Sequence, residues 1–258
     1  MNFLSREEVD HFIQTLLLVG QGSQGVSYKD KTSKKVYKFY HDYLEDDEFD
    51  FVHDREEILQ FKDIPSSTFL FPKDVILLND RVIGDITSYR NARNLYQLNP
   101  LTVNLDRLLK LALIALKGIC DVSKRSVNCF DMMYNILLGR QFYIIDTLEY
   151  TLRDRDYQEI LRDNVQCFNL EILYFLVDGL FYDVIKSDSK LYDLYESKGR
   201  DMSIVYFIIE FRKRLSELLG HEIVYLADAL SLRDINENVG NLKYERDIMV
   251  RERVIRFK

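Results

Sequence analysis

Three polar side chains that could carry acid–base and metal chemistry lie in one short stretch, Asn128 to Tyr150 (NCFDMMYNILLGRQFYIIDTLEY). Asp131 and Asn135 precede the apolar run Ile136-Leu137-Leu138. Gly139-Arg140-Gln141 makes a polar turn, and a second apolar run, Phe142 to Ile145, delivers Asp146. Apolar runs of this length bounded by turn residues read as the two strands of a hairpin, which would hold all three polar groups at one edge. An acid, an amide and a second acid placed there could take a proton from a hydroxyl nucleophile and hold Mg²⁺ through hard oxygen ligands. The same residues would also suit a plain hairpin whose polar ends face water, because Asp flanking a strand is ordinary turn chemistry.

A second group lies near the N-terminus. Gly20-Gln21-Gly22-Ser23-Gln24-Gly25 stands between the β-like runs Leu16 to Val19 and Val26 to Tyr28. The dinucleotide-binding glycine fingerprint needs a helix opening at its last glycines. Here a strand and a polar turn, Asp30 to Ser33, follow instead. The segment therefore reads as a hairpin turn that exposes backbone N–H groups. In the next strand, Lys34 to Tyr40, period-two alternation puts Val36, Lys38 and Tyr40 on one face and Tyr37 and Phe39 on the other. Lys38 thus sits among apolar neighbours, either held for a purpose or snorkelling to solvent.

The elements that must position these groups are legible in outline. Ser5 with Glu8 has capping-box spacing, so Ser5 to about Thr15 reads as a short helix burying Val9, Phe12 and Ile13. A helix carrying Glu56 and Glu57 is expected from Phe49 to about Lys62. Two strands, Phe69 to Leu78 and Val82 to Thr87, flank the turn Asn79-Asp80-Arg81, and Ser88 to Asn99 reads as hinge and linker. Leu105, Leu108, Leu109, Ala112, Leu116 and Ile119 form the stripe of a long helix capped near Asn104. Thr151 to Gln166 is charged and reads as surface loop with a short helix. Phe168 to Val184 reads as a buried helix and Met202 to Leu219 as another, with Arg212, Lys213 and Arg214 on its solvated side. The basic segment Lys243 to Lys258 reads as a solvated face.

Composition sets the bounds. The 258 residues are 47% hydrophobic and 30% charged, enough to bury a core. A net charge of −7 argues against a dedicated nucleic-acid binder. Cys120, Cys129 and Cys167 are scattered and form no CxxC, so neither a disulfide framework nor a zinc site is indicated, and a reducing cytoplasm is expected. No signal peptide or membrane span is read.

Taken in order, these motifs resemble the protein-kinase family. Gly20 to Val26 resembles its glycine-rich loop, and Val36-Tyr37-Lys38 its third-strand lysine motif. Glu57, 19 residues after Lys38, matches the helix glutamate that pairs with that lysine, with Glu56 as its rival. Ile86-Thr87-Ser88-Tyr89 resembles the strand entering the hinge, with Thr87 at the gatekeeper position. Asp131 and Asn135 resemble the catalytic-loop Asp and Asn, and Asp146 the metal-binding Asp. The resemblance covers roughly residues 14 to 185. It departs from the family where Asn135 follows Asp131 by four residues instead of five, where Cys129 and Phe130 replace His and Arg, where Met133 replaces a lysine, and where Asp146-Thr147-Leu148 replaces D-F-G. No A-P-E follows.

The resemblance implies an α+β, bilobal protein-kinase-like fold. An N-terminal lobe, residues 1–88, would hold an antiparallel sheet and one main helix, and a mostly helical C-terminal lobe, residues 89–258, would hold the catalytic hairpin 128–150. It implies a divergent kinase of bacterial or phage type that transfers the γ-phosphate of ATP to a hydroxyl, with Mg²⁺ or Mn²⁺, as an atypical Ser/Thr-type protein kinase. Gly20, Gly22, Ser23, Gly25, Val26, Lys38, Thr87, Ser88 and Tyr89 would contact the nucleotide, Asn135 and Asp146 the metal. Lys38, Glu57 and Asp131 would be catalytic, Asp131 accepting the hydroxyl proton. Two alternatives stay open: a pseudokinase acting as a nucleotide-binding or protein-interaction module, and a small-molecule kinase of aminoglycoside or choline type. The expected partners are a nucleotide and a protein or small-molecule hydroxyl acceptor, with no nucleic acid and no membrane.

Overall fold

The computed structural model describes residues 1–45, 53–129, 132, 134–177, 180–200 and 203–234. Asp131, Phe130, Met133, the expected helix start at Phe49 and the basic segment Lys243 to Lys258 lie outside the described residues. The chain divides into two compact units, Met1–Asn91 with Ile145–Leu148, and Ala92–Ile144 with Glu149–Lys258.

Among its described residues the first unit has six strands and three helices. In chain order these are β1 (Asn2–Phe3), α1 (Arg6–Thr15), β2 (Leu17–Gln21), β3 (Gly25–Lys29), β4 (Lys35–Tyr40), α2 (His41–Glu45), α3 (Arg55–Leu59), β5 (Asp74–Leu78) and β6 (Arg81–Ser88). The strands form one sheet in the order β1-β5-β6-β4-β3-β2, antiparallel except for the parallel pair β1–β5. Ser5 caps α1 as the sequence predicts, its hydroxyl accepting from the Glu8 N–H at 3.3 Å while the Glu8 carboxylate accepts from the Leu4 N–H at 2.8 Å. The β5–β6 turn places Asn79 and Asp80 at positive φ, 48° and 65°, which suits a tight hairpin joining right-twisted strands.

Alternation along β4 divides the core between the two faces of the sheet. Tyr37 and Phe39 pack with Val9 of α1, Tyr43 of α2, Ile76, Ile83 and Ile86. Tyr40 packs on the other face with Ile58 of α3, Val75 and Val82, joined by Leu148. One irregularity matters for function. Ile76 pairs with Gly84, but Leu77 pairs with Val82, so Ile83 is an extra residue in β6. A bulge of this kind shifts every following side chain to the opposite face. Ile83 and Ile86 consequently share the α1 face, and Asp85 turns to the face of Lys38 and Tyr40.

Gly84 lies beside the bulge because β4 and β6 approach closely there. A Cβ at Gly84 would run into the Lys38 carbonyl oxygen. Gly84→Ala is expected to destabilise the protein by about 1–3 kcal/mol through overpacking against backbone, read as a lowered urea midpoint at unchanged slope.

The second unit continues with β7 (Arg93–Asn94), two 3₁₀ turns (Leu95–Gln97 and Pro100–Thr102), α4 (Leu105–Ser123), β8 (Val127–Asn128), β9 (Ile136–Leu138), β10 (Phe142–Ile144) and β11 (Thr151–Leu152). It ends in α5 (Tyr157–Val177), α6 (Tyr182–Lys186), α7 (Ser189–Glu196), α8 (Ile204–Leu219) and a 3₁₀ stretch, Leu226–Leu232. Asn104 caps α4, its side-chain oxygen accepting from the Arg107 N–H at 2.9 Å. Leu105, Leu108, Ala112 and Ile119 of the expected stripe are buried. The hairpin also forms as expected, with Phe142 opposite Leu138 and Ile144 opposite Ile136, and β7 extends it to three strands.

Two helix expectations need correcting. The helix expected over Phe168 to Val184 is the second half of α5, ending at Val177, with α6 beginning at Tyr182. Of the charged stretch Thr151 to Gln166, residues 151–156 hold β11 and a connection, and residues from Tyr157 on are the first half of α5, a single 21-residue helix. Its charges occupy solvated positions, where Arg155 pairs with Glu159 at 3.1 Å and Asp163 at 2.9 Å, while Ile160 and Asn164 are buried beneath them. Arg212 is likewise more than a solvated charge. It donates to the Ile223 carbonyl at 2.9 Å and pairs with Asp106 of α4 at 2.6 Å and Glu222 at 2.7 Å. None of the three cysteines is in a disulfide. Among the described residues no helix is long and apolar enough to cross a membrane.

Candidate functional site

The polar cluster of the first unit centres on Lys38. Its Nζ donates to Asp146 Oδ1 at 2.6 Å and to Gln24 Oε1 at 2.8 Å. The Lys38 and Asp146 side chains are 13% and 23% exposed, so the ion pair is shielded from water on most sides. Screening is correspondingly weak, and the pair is of the charge-assisted, short type. Lys38 is therefore held and does not snorkel.

Asp146 is fixed from its own backbone as well. Its φ is +57°, a left-handed conformation that Asp tolerates better than most residues but that is uncommon outside glycine and often marks a functional position. The two following residues anchor it. Thr147 is buried, and Leu148 packs into the cluster of Tyr40, Ile58, Val75 and Val82. Thr147-Leu148 thus does by apolar packing what keeps the carboxylate beside Lys38.

The glycine turn is closed over this lysine. The Gly22 N–H donates to the Gly25 carbonyl at 3.0 Å, the His41 N–H donates to the Gln24 carbonyl at 3.1 Å, and His41 Nε2 lies 2.9 Å from the Gly22 carbonyl, to which its N–H tautomer donates. Gly20 and Gly22 are exposed with open space where a Cβ would stand. Gly25 is buried, and a Cβ there would strike the Phe39 carbonyl oxygen. Ser23 is exposed and Val26 half-buried. Thr87, Ser88 and Tyr89 are half-buried at the end of β6. Thr87 stands opposite Val36 on the Lys38 face, and the Tyr89 N–H donates to the Lys34 carbonyl at 2.8 Å.

Glu57 and Glu56 are not brought to Lys38. Both are exposed on α3, whose five residues are capped by Asp54 accepting from the Glu56 N–H at 2.7 Å. Ile58 is the residue of that turn that faces the sheet, and its neighbours at one and two positions earlier point away from it. The carboxylate that does face Lys38 inside the sheet is Asp85. It is Lys38's direct partner in the β4–β6 ladder, 3% exposed, and accepts a hydrogen bond from the Tyr40 hydroxyl at 3.2 Å. Burial raises its pKa to about 6, with Asp146 adding to the rise and Lys38 and the Tyr40 hydrogen bond opposing it. Burial, with Asp85 adjacent, pushes the Tyr40 phenol up as well.

In the second unit, Asn135 is half-buried at the start of β9, its N–H donating to the Met132 carbonyl at 3.1 Å. Tyr134 before it has a φ of +64°, its ring lies tilted against that of Tyr96 with centroids 4.3 Å apart, and its carbonyl accepts from Asn94 Nδ2. Upstream, the buried Asn164 of α5 ties down the strand that leads into Asp131. Its Oδ1 accepts from the Cys129 N–H at 2.7 Å, and its Nδ2 donates to Ser123 Oγ and the Val127 carbonyl, each at 2.9 Å. Asn164→Ala would remove three buried hydrogen bonds. It is expected to cost about 3 kcal/mol, measurable by urea unfolding, and to impair any chemistry that depends on residues 129–135.

The donors present suit a metal-bound nucleotide. Among the described residues no cluster of three or more His, Cys, Asp or Glu could hold a metal ion unaided. In the first unit, a carboxylate supplemented by phosphate oxygens and water is of the kind that ligates Mg²⁺, and a shielded ammonium beside it suits a phosphate, which are the types and placement of Asp146 and Lys38. Asn135 of the second unit carries an amide of the kind that can serve as an oxygen ligand.

No protein-family model matches the chain, and no curated protein matches it. Solved structures do. The PknI kinase domain of Mycobacterium tuberculosis, as a double mutant, matches over 77% of this chain and 94% of that one, at 12% identity and a TM-score of 0.50. This chain has a protein-kinase-like fold. The unmutated PknI kinase domain matches over 92% and 94% at 11% identity with a TM-score of 0.44, and a second double mutant over 92% and 93% at 13% with 0.45. The chain's own elements, a six-stranded sheet in the first unit and a mostly helical second unit, agree with the α+β architecture that the sequence motifs imply.

Sequence reasoning missed Gln24, Asp85 and Asn164. Gln24 lies inside the glycine motif at a position whose side-chain type the motif does not specify. Asp85 was hidden by the bulge, because simple alternation groups it with Ile83. A buried Asn in a charged stretch gives no periodic signal.

Proposed function

We propose that the chain is an ATP-dependent phosphotransferase that passes the γ-phosphate to a hydroxyl in the manner of an atypical Ser/Thr-type protein kinase. The observation that carries this reading is the shielded Lys38–Asp146 pair, 2.6 Å long, beside the glycine turn. Few structural needs are met by a half-buried lysine held by an aspartate in a left-handed conformation, whereas nucleotide phosphates need a cation and a bound metal needs a carboxylate at one place.

In this reading Lys38 binds the α and β phosphates and the N–H groups of Gly20 to Val26 cover them. Thr87, Ser88 and Tyr89 line the base, Asp146 and Asn135 are the metal ligands, and Asp131 accepts the proton of the acceptor hydroxyl. Mg²⁺ or Mn²⁺, when bound, would neutralise phosphate charge and align the γ-phosphate for in-line attack. Gln24, whose side-chain oxygen accepts from Lys38 at 2.8 Å, would share that lysine with the phosphates.

A second reading, a pseudokinase that binds nucleotide without transfer, is favoured by Gln24 on Lys38 and by the exposure of Glu57. On substrate, only residues 147–156 separate Asp146 from α5. That leaves little chain for a peptide platform, and it is the observation behind the alternative of a small-molecule kinase. The test is melting temperature with ATP or ADP and Mg²⁺, followed by radiolabelled transfer from γ-labelled ATP. A rise in melting temperature with transfer supports the enzyme, and a rise without transfer supports the pseudokinase.

A further inference from the structure

Lys38 faces two carboxylates in the first unit, and only one is of the kind a metal would claim. Asp146 lies on a short anchored segment and is partly exposed. Asp85 lies in the sheet, buried, on the face to which the Ile83 bulge turns it. Directly opposed residues in an antiparallel ladder keep their Cβ atoms roughly 5 Å apart, and Lys38 and Asp85 are such a pair. The Tyr40 hydroxyl, two residues from Lys38 on the same face, fixes one Asp85 oxygen at 3.2 Å. A buried carboxylate without a direct ion-pair contact costs stability, and it stands in a strand position where an apolar residue would pack better. Glu57 and Glu56, the carboxylates that the family resemblance would put against the lysine, are exposed instead.

We propose that Asp85 is the positioning residue for Lys38, a strand carboxylate braced by Tyr40 that does what a helix glutamate does in the family this chain resembles. The inference rests on the nucleotide-binding reading above. Asp146, if it ligates metal, has its oxygens committed, and Asp85 is then the carboxylate that keeps the Lys38 ammonium over the phosphates. The bulge gains a purpose, since without it Asp85 would point to the α1 side.

The test uses the full chain with excess Mg²⁺, so that Asp146 is engaged by the metal, and compares ADP with adenosine by titration calorimetry for the wild type and Asp85→Asn. The wild type is expected to bind ADP more tightly than adenosine, and Asp85→Asn to lose about tenfold in ADP affinity with adenosine affinity unchanged. Asp85→Asn binding ADP as tightly as wild type, or more tightly, would overturn the assignment, as would parallel weakening of both ligands, which is what a purely structural role gives. Glu57→Gln tests the competing assignment: loss of the ADP preference there, with Asp85→Asn unaffected, returns the role to the helix. Failure of the wild type to bind either ligand would overturn the nucleotide-binding reading together with this inference, and so is distinct from the other outcomes.

Discussion

Lys38→Met should lower phosphoryl transfer on the order of 10²–10³-fold, the usual loss when one preorganised electrostatic contact to a reacting group is removed. The same substitution removes the ion pair to Asp146 and the hydrogen bond to Gln24, and it leaves Asp85 and Asp146 facing a neutral side chain. Hydrogen bonds to charged groups contribute roughly 1.5–3 kcal/mol each. The variant should therefore also melt several degrees lower, and the two effects can be separated. Nucleotide-induced stabilisation, expressed relative to each protein's own nucleotide-free melting temperature, should disappear in Lys38→Met. In a protein where Lys38 only braces the sheet, the starting temperature would fall but the nucleotide increment would survive.

Asp85→Asn should act in the opposite direction on stability. The folded-state pKa of Asp85, about 6, lies above the value of about 3.9 in an unfolded chain. The native protein therefore holds that proton more tightly than the unfolded chain does. Stability contributed by the protonated form is complete below about pH 4 and is lost as pH rises to about 6, after which the deficit is constant. A difference of about two units corresponds to roughly 3 kcal/mol, or roughly 5–10 °C in melting temperature for a chain of this size. Asp85→Asn should show that gain over wild type at pH 7 to 8 and lose it by about pH 4. The other titratable groups around Asp85 are Lys38 and Tyr40 on β4, Asp146, and His53, whose ring lies 4.4 Å from that of Tyr40. They are common to both proteins, so the difference curve isolates Asp85. A flat difference across pH 4 to 8 would mean that Asp85 is not held in a desolvated site. A variant that is more stable yet binds ADP more weakly would be the signature of a residue kept for function at a cost in stability.

Much of this fold was legible because local signals and packing agree. Ser5 and Asn104 cap the helices they precede, and the turn residues 139–141 close the hairpin read from two apolar runs. Lys38, Asp146 and the glycine turn were recognised from residue type and order, and the first unit brings these three together. The remainder was illegible for physical reasons. A β-bulge is invisible to a period-two reading, yet the bulge at Ile83 decides that Asp85 faces Lys38. Spacing put Glu57 at the distance a helix partner would need, but the described turn is short and directs Ile58, not Glu57, to the sheet. In α5, surface ion pairs made a helical stretch look like loop, because its charges outnumber the apolar residues that mark its buried side.

The most direct test of nucleotide chemistry at Lys38 and Asp146 is a single series: the melting temperature of the wild type and Lys38→Met with and without ATP and Mg²⁺, read together with label transfer from γ-labelled ATP. The expected result is a nucleotide-dependent rise and label transfer in the wild type, with both lost in Lys38→Met. No rise in the wild type with either ATP or ADP, metal present, would contradict a nucleotide site at Lys38.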